Sequence, residues 1–131
     1  MSAGRRLISS GGPYEARFGY SRAVVDDDRC WVAGTTDAGP DGTSRHPGDA
    51  AAQARASWAI VERALHEGGF DLSDVVRTRM YVVSASDATA VASVHGEVFG
   101  DVRPASTLLV VAALLDPSML VEVEAEAVRR H

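Results

Sequence analysis

Leu120-Val121-Glu122-Val123-Glu124-Ala125-Glu126-Ala127 alternates apolar and acidic side chains without a break. Successive side chains of a strand point to opposite faces, so Val121, Val123, Ala125 and Ala127 share one face and Glu122, Glu124 and Glu126 the other. The apolar face requires a cover of helices. Three carboxylates in a row repel one another and need water or cations beside them. One strand therefore describes a sheet covered on one side and semi-polar on the other.

The remaining segments supply the cover and the neighbouring strands. A helix is expected from about Asp49 to Glu67, where Ala51, Ala54, Trp58, Val61 and Leu65 recur at spacings of three and four. Asp49 can accept from the free N–H groups of its first turn, and Gly68-Gly69 offers a left-handed stop. Val75 to Val83 reads as a strand in which Val76, Thr78, Met80 and Val82 alternate with Arg77, Arg79 and Tyr81. If it neighbours the last strand, its two arginines would offset the glutamates in cross-strand pairs. A second helix is expected from a Ser86 cap through Phe99, with Val91, Val94 and Val98 inward. Ser106 to Val111 is a further strand.

Towards the N-terminus, Leu7-Ile8 starts an edge strand before the Ser9–Pro13 turn. Tyr20 to Val25 and Cys30 to Thr35 then form a hairpin around Asp26-Asp27-Asp28. The order is β-hairpin, α, β, α, β-hairpin: an α+β fold with a mixed sheet and two helices packed on one face. At 131 residues the chain is expected to be one domain, 1–131.

Composition narrows the function classes. Hydrophobic residues make up 46% and charged residues 24%, the balance of a globular protein. A formal net charge of -5 disfavours nucleic acid as a partner, because tracking phosphates takes a basic surface. No apolar run approaches the roughly 20 residues of a membrane helix, so no membrane partner is expected. Met1 to Ser10 lacks the apolar stretch of a signal peptide, and the single Cys30 cannot form an internal disulfide, so a cytoplasmic location is expected.

Neither a metal nor a cofactor is expected. Adjacent side chains of the Asp26–Asp28 turn diverge, and His46, His66, His95 and His131 lack metal-ligand spacing. The glycines at 11–12 and 68–69 lack the context of a dinucleotide loop. Cys30 has no activating His or Lys beside it and reads as a small core residue. His95 reads as a packed or boundary residue.

From Tyr20 onward the chain resembles the Rid (YjgF/YER057c/UK114) superfamily. The resemblance is carried by Tyr20-Ser21-Arg22-Ala23-Val24, Ala33-Gly34-Thr35, Ala51-Ala52-Gln53-Ala54-Arg55, Pro104-Ala105, Val121-Glu122-Val123-Glu124-Ala125 and Ala127-Val128-Arg129-Arg130. It implies a chorismate-mutase-like architecture and a homotrimer, its sheets facing a barrel-like centre and its clefts at subunit boundaries. It further implies the activity of RidA-type members, hydrolysis of reactive enamines and imines such as 2-aminoacrylate. On that pattern Glu122 positions the attacking water, while Tyr20 and Gly34 line the cleft.

The chain departs from the pattern at several positions. Ser106 stands where the family has arginine, Leu108 where it has cysteine, Ala33 where it has serine and Ala92 where it has asparagine. A serine hydroxyl supplies neither charge nor a bidentate fork for a substrate carboxylate. Arg22 stands in place of the family's glutamine two residues after Tyr20; period two places both on one face of the first strand, which makes Arg22 the candidate replacement cation. The expected site is therefore Glu122 as catalytic residue, with Tyr20, Arg22, Gly34, Ser106 and Leu108 around a small metabolite. Two functions follow: an imine or enamine deaminase-type hydrolase, or a non-catalytic metabolite-binding or regulatory trimer. An endoribonuclease-type activity is a third, against the charge.

Overall fold

The computed structural model describes residues 4–130. Six strands form one sheet: β1 (Arg5–Ile8), β2 (Ala23–Asp26), β3 (Arg29–Thr35), β4 (Val75–Val82), β5 (Ala105–Val110) and β6 (Val121–Val128), in the order β1-β2-β3-β6-β4-β5. Two long helices, α2 (Ala50–Glu67) and α3 (Ala88–Phe99), cover one face. A short helix, α1 (Pro13–Phe18), occupies the β1–β2 connection that the sequence reads only as a turn.

β6 lies at the centre, between β3 and β4. Its Val121, Val123, Ala125 and Ala127 are buried, with Glu122, Glu124 and Glu126 partly exposed on the open face. Trp58, Val61 and Leu65 of α2 and Val91 and Val94 of α3 pack onto the apolar side. Asp49 caps α2 by accepting from Ala52 N–H at 3.0 Å, as expected. The left-handed residue after α2 is Gly69 (φ 84), not Gly68.

Buried Gln53 ties three segments together. Its Nε2 donates to the His46 and Ser118 carbonyls, and its Oε1 accepts from Leu120 N–H at 2.8 Å. This side chain fixes the entry of β6, two residues before Glu122. A buried amide with three partners is an anchor whose removal would orphan backbone groups.

Several expectations are corrected. The final two strands do not form a hairpin: β5 runs parallel to β4 through α3, and β6 returns antiparallel between β3 and β4. A crossover through a helix satisfies parallel pairing, whereas local alternation cannot tell which strand a given strand will join. In β4 a register irregularity between Val75 and Arg77 buries Val75 and leaves Val76 46% exposed. One extra residue shifts the side-chain alternation there. Ser86 does not cap α3. Ser84 accepts from Ser86 N–H in a short 3-10 turn, and Asp87 precedes the helix.

Tyr20 and Arg22 precede β2 and are not strand residues, so period two does not relate them. Of the two arginines on β4, Arg79 pairs with acids, but Arg77 donates instead to Thr107 Oγ1 at 3.1 Å. Among the described residues no helix is long and apolar enough to cross a membrane.

Candidate functional site

The three glutamates of β6 have different surroundings. Arg79 Nη1 lies 3.3 Å from Glu124 Oε1 and 3.0 Å from Glu126 Oε1, and Tyr81 O–H donates to Glu124 at 3.0 Å. Two of the three charges are thus held by cross-strand partners, as the alternation of β4 and β6 anticipates. Glu122 has no hydrogen bond or ion pair among the described residues. Burial raises its pKa, Arg22 nearby pulls it down, and the Glu124 charge pushes it up; the net shift is upward. Such a carboxylate holds a proton more readily than an exposed glutamate, which suits it to exchanging protons with a bound water.

Space for Glu122 comes from a glycine. Val32 pairs with Ala125 and Thr35 with Val123, so β3 carries an irregularity at Ala33-Gly34. A Cβ at Gly34 would overlap Glu122 Oε2 and stand 3.2 Å from Cδ. Gly34 is needed here for the missing side chain, not for a special backbone angle.

Arg22 approaches the same place. Its Nη2 donates to the Gly34 carbonyl, and its own carbonyl accepts from Ala33 N–H at 3.0 Å. Its Nε is buried and has no hydrogen-bond partner among the described residues. Burial lowers the Arg22 pKa, while Tyr20, Glu15 and Glu122 act in the opposite direction. A guanidinium beside a carboxylate, with an N–H to spare, can polarise or orient an oxygen placed between them. Tyr20, 45% exposed, lines an open concavity of about 630 Å³ with Glu15, Gly19, Val24, Trp31 and Ala33, next to but not including Arg22, Gly34 and Glu122.

Glu15 was not anticipated. It is buried on α1, where burial pushes its pKa up, but hydrogen bonds from Ser10, with smaller contributions from Ser9 and the Arg22 charge, bring it below the ordinary carboxylate range. Seeing it required recognising α1, whose Gly12-Pro13 start is the available signal: proline suits the first helical turn.

Ser106 and Leu108 lie elsewhere. They pair with Thr78 and Met80 in the β4–β5 register, so their side chains share the helix-covered side, opposite Glu122. Leu108 packs against the core. Thr78 Oγ1 donates to Ser106 Oγ at 2.8 Å and also lies 2.8 Å from His95 Nε2. One chain therefore brings together Tyr20, Arg22, Gly34 and Glu122, with Ser106 and Leu108 on its β5 edge.

Other chemistry-bearing groups fall away from both places. His46 Nδ1 donates to buried Asp37 at 3.0 Å within the 36–48 loop, and His66 sits near Glu62 and Asp71 at the end of α2. His131 lies outside the described residues. Cys30 is buried, and burial pushes its thiol up to about 11, where it is inert. Among the described residues no group of three or more His, Cys, Asp or Glu side chains is placed to hold a metal.

Comparison with known proteins places this geometry in a wider group. The model of the family described as Endoribonuclease L-PSP matches residues 13–129. An uncharacterized protein of Streptomyces coelicolor is 40% identical over 124 residues, covering 95% of this chain and 92% of the relative. A 2-iminobutanoate/2-iminopropanoate deaminase of Rattus norvegicus is 30% identical over 125 residues, covering 95% and 90%. The crystal structure of a Mycobacterium tuberculosis member of the YjgF/YER057c/UK114 family superposes with a TM-score of 0.86 at 42% identity, covering 95% of this chain and 99% of that one.

Proposed function

The chain belongs to the Endoribonuclease L-PSP family, the YjgF/YER057c/UK114 (Rid) superfamily, and from that premise we propose that it is a homotrimeric imine or enamine deaminase-type hydrolase of a small metabolite. The observation that carries the reading is Glu122, the one acid of β6 with no hydrogen-bond or ion-pair partner among the described residues, raised in pKa, beside Arg22 and the gap at Gly34. The deaminase name of the rat relative gives the reaction class.

In this reading Glu122 takes a proton from a water as that water's oxygen bonds to the imine carbon. Glu122 passes that proton to the imine nitrogen, giving a neutral carbinolamine; it then accepts the carbinolamine hydroxyl proton and delivers it to the nitrogen as the carbon–nitrogen bond breaks, so that ammonia and a carbonyl compound are released. Arg22 Nε supports the developing charge, and Tyr20 lines the adjoining concavity. Ser106 and Leu108 face away from Glu122 of their own chain, so they meet a glutamate only across a subunit boundary. The polar open face then turns inward in the trimer, where Arg79 bridges Glu124 and Glu126 and offsets one of their two charges.

The test supplies small imines generated in situ, 2-aminoacrylate and 2-iminopropanoate together with the uncharged 2-iminopropanamide, and follows release of ammonia. Wild type is expected to exceed the background hydrolysis rate, with Glu122→Gln and Glu122→Ala returning to it. Equal rates for wild type and both variants refute the hydrolase reading for those substrates.

A second reading, a non-catalytic metabolite-binding trimer, is favoured by the uncharged Ser106 and apolar Leu108 on the β5 side. It predicts ligand binding with no Glu122-dependent turnover. RNA cleavage is disfavoured by the net charge of -5, and no retention of RNA at low salt is expected.

A further inference from the structure

Ser106 is the exposed end of a chain of three polar side chains from three elements. Ser106 on β5, fully buried Thr78 on β4 and His95 on α3 are linked by contacts of 2.8 Å and 2.8 Å. His95 is wedged between aromatic rings, with its centroid 5.7 Å from Trp58 and 4.8 Å from Phe99. Burial there pushes its pKa down, so the ring is neutral at neutral pH. Among the described residues no charged side chain hydrogen-bonds to any of the three. Arg103, three residues before Ser106, donates its backbone N–H to the Phe99 carbonyl, and its side chain has no hydrogen bond among the described residues.

A neutral imidazole has one donor and one acceptor nitrogen, and this sets what Ser106 can offer. With the proton on Nε2, His95 donates to Thr78, Thr78 donates to Ser106, and the Ser106 hydroxyl points its own proton outward. Thr78 donates to Ser106, so the first arrangement is the one that the contacts fit, and the Ser106 oxygen also keeps a lone pair open. The end of the chain is an oriented, uncharged hydrogen-bonding group, backed by a threonine that water does not reach. Within this cluster a carboxylate would lose hydration and meet no cation of the same chain, whereas a carbonyl, amide or hydroxyl would find a partner of either polarity.

We infer that Ser106, oriented by Thr78 and His95, selects a ligand whose docking group on this side is an uncharged carbonyl, amide or hydroxyl rather than a carboxylate. This rests on the reading that Ser106 lines the ligand cleft. Ser106 is the specificity residue, and Thr78 and His95 are positioning residues that act through it.

The experiment titrates the full-length isotopically labelled protein with pyruvate and with its neutral counterpart pyruvamide, following backbone amide shifts. Wild type is expected to bind pyruvamide at least roughly tenfold more tightly. Ser106→Ala is expected to weaken pyruvamide roughly three- to tenfold while leaving pyruvate within twofold. Thr78→Val, which keeps the side-chain shape, reduces the preference in the same direction, and Ser106→Arg inverts it. Equal weakening of both ligands by Ser106→Ala overturns the inference, because a purely structural role moves both alike. A wild-type preference for pyruvate that depends on Glu122 overturns the inference and leaves the cleft reading standing. Failure of both ligands to bind wild type overturns the two together.

Discussion

Replacing Gly34 by alanine puts a methyl group where the Glu122 carboxylate now rests. The added Cβ would overlap Oε2 and sit 3.2 Å from Cδ. Ordinary carbon contacts lie at roughly 3.5–4.0 Å, so the carboxylate must swing away by roughly 1 Å or more. The group that yields is the end of a flexible side chain, which makes the structural cost small: about 0.5–1.5 kcal/mol for an off-rotamer torsion. That corresponds to a Tm lower by roughly 2–8 °C. The functional cost is larger, because a misplacement of about 1 Å in a reacting group can cost roughly 100-fold.

Two assays on the same four proteins, wild type, Gly34→Ala, Glu122→Ala and the double variant, separate these effects. Thermal unfolding reads the clash, and in situ imine hydrolysis reads the position of Glu122. If the clash is with Glu122, Gly34→Ala destabilises wild type but costs nothing in the Glu122→Ala background, where the space is empty. Equal destabilisation in both backgrounds would refute the proposed gap for the carboxylate. Full hydrolysis by Gly34→Ala would show that catalysis does not depend on where Glu122 is held.

Glu122→Gln should raise stability at pH 7, measured by urea unfolding. The folded-state pKa of Glu122 is above its unfolded value, so its favourable contribution is complete below the unfolded pKa and is lost as pH rises through the folded one. The advantage of glutamine over glutamate should therefore shrink to nothing as pH falls below the ordinary carboxylate range; an advantage that persists there would contradict the linkage. Trp58→Ala should cost about 3–5 kcal/mol, since Trp58 is 1% exposed and meets the Phe99 ring edge-on at 4.9 Å. A loss below about 1 kcal/mol in urea unfolding would mean that α2 and α3 do not pack through it.

The elements that the sequence made legible are those whose signal repeats locally. The alternation of Val121 to Ala127 gave β6 its two faces, and the three-and-four spacing of Ala54, Trp58, Val61 and Leu65 gave α2 its buried stripe. Asp49 announced the start of that helix. Where one residue breaks the period, local reading slips: the irregularity after Val75 exposes Val76, and α1 inserts a turn and a half of helix before β2. The Tyr20–Val24 pattern was visible, but the strand begins only at Ala23, so the direction of Arg22 was not.

The candidate site depended on more distant relations. That β6 inserts between β3 and β4 decides that Arg79 occupies Glu124 and Glu126, and that Glu122 faces Gly34 and Arg22 instead. That β5 runs parallel to β4 decides that Ser106 joins Thr78 and His95 on the helix-covered side. By itself the sequence determined the three acids on one face of one strand and a serine in place of an arginine, because period and residue identity are properties of the chain alone. Which acid stays free, and which side chains stand behind that serine, were decided only in the tertiary structure, because strand order and register join residues far apart along the chain.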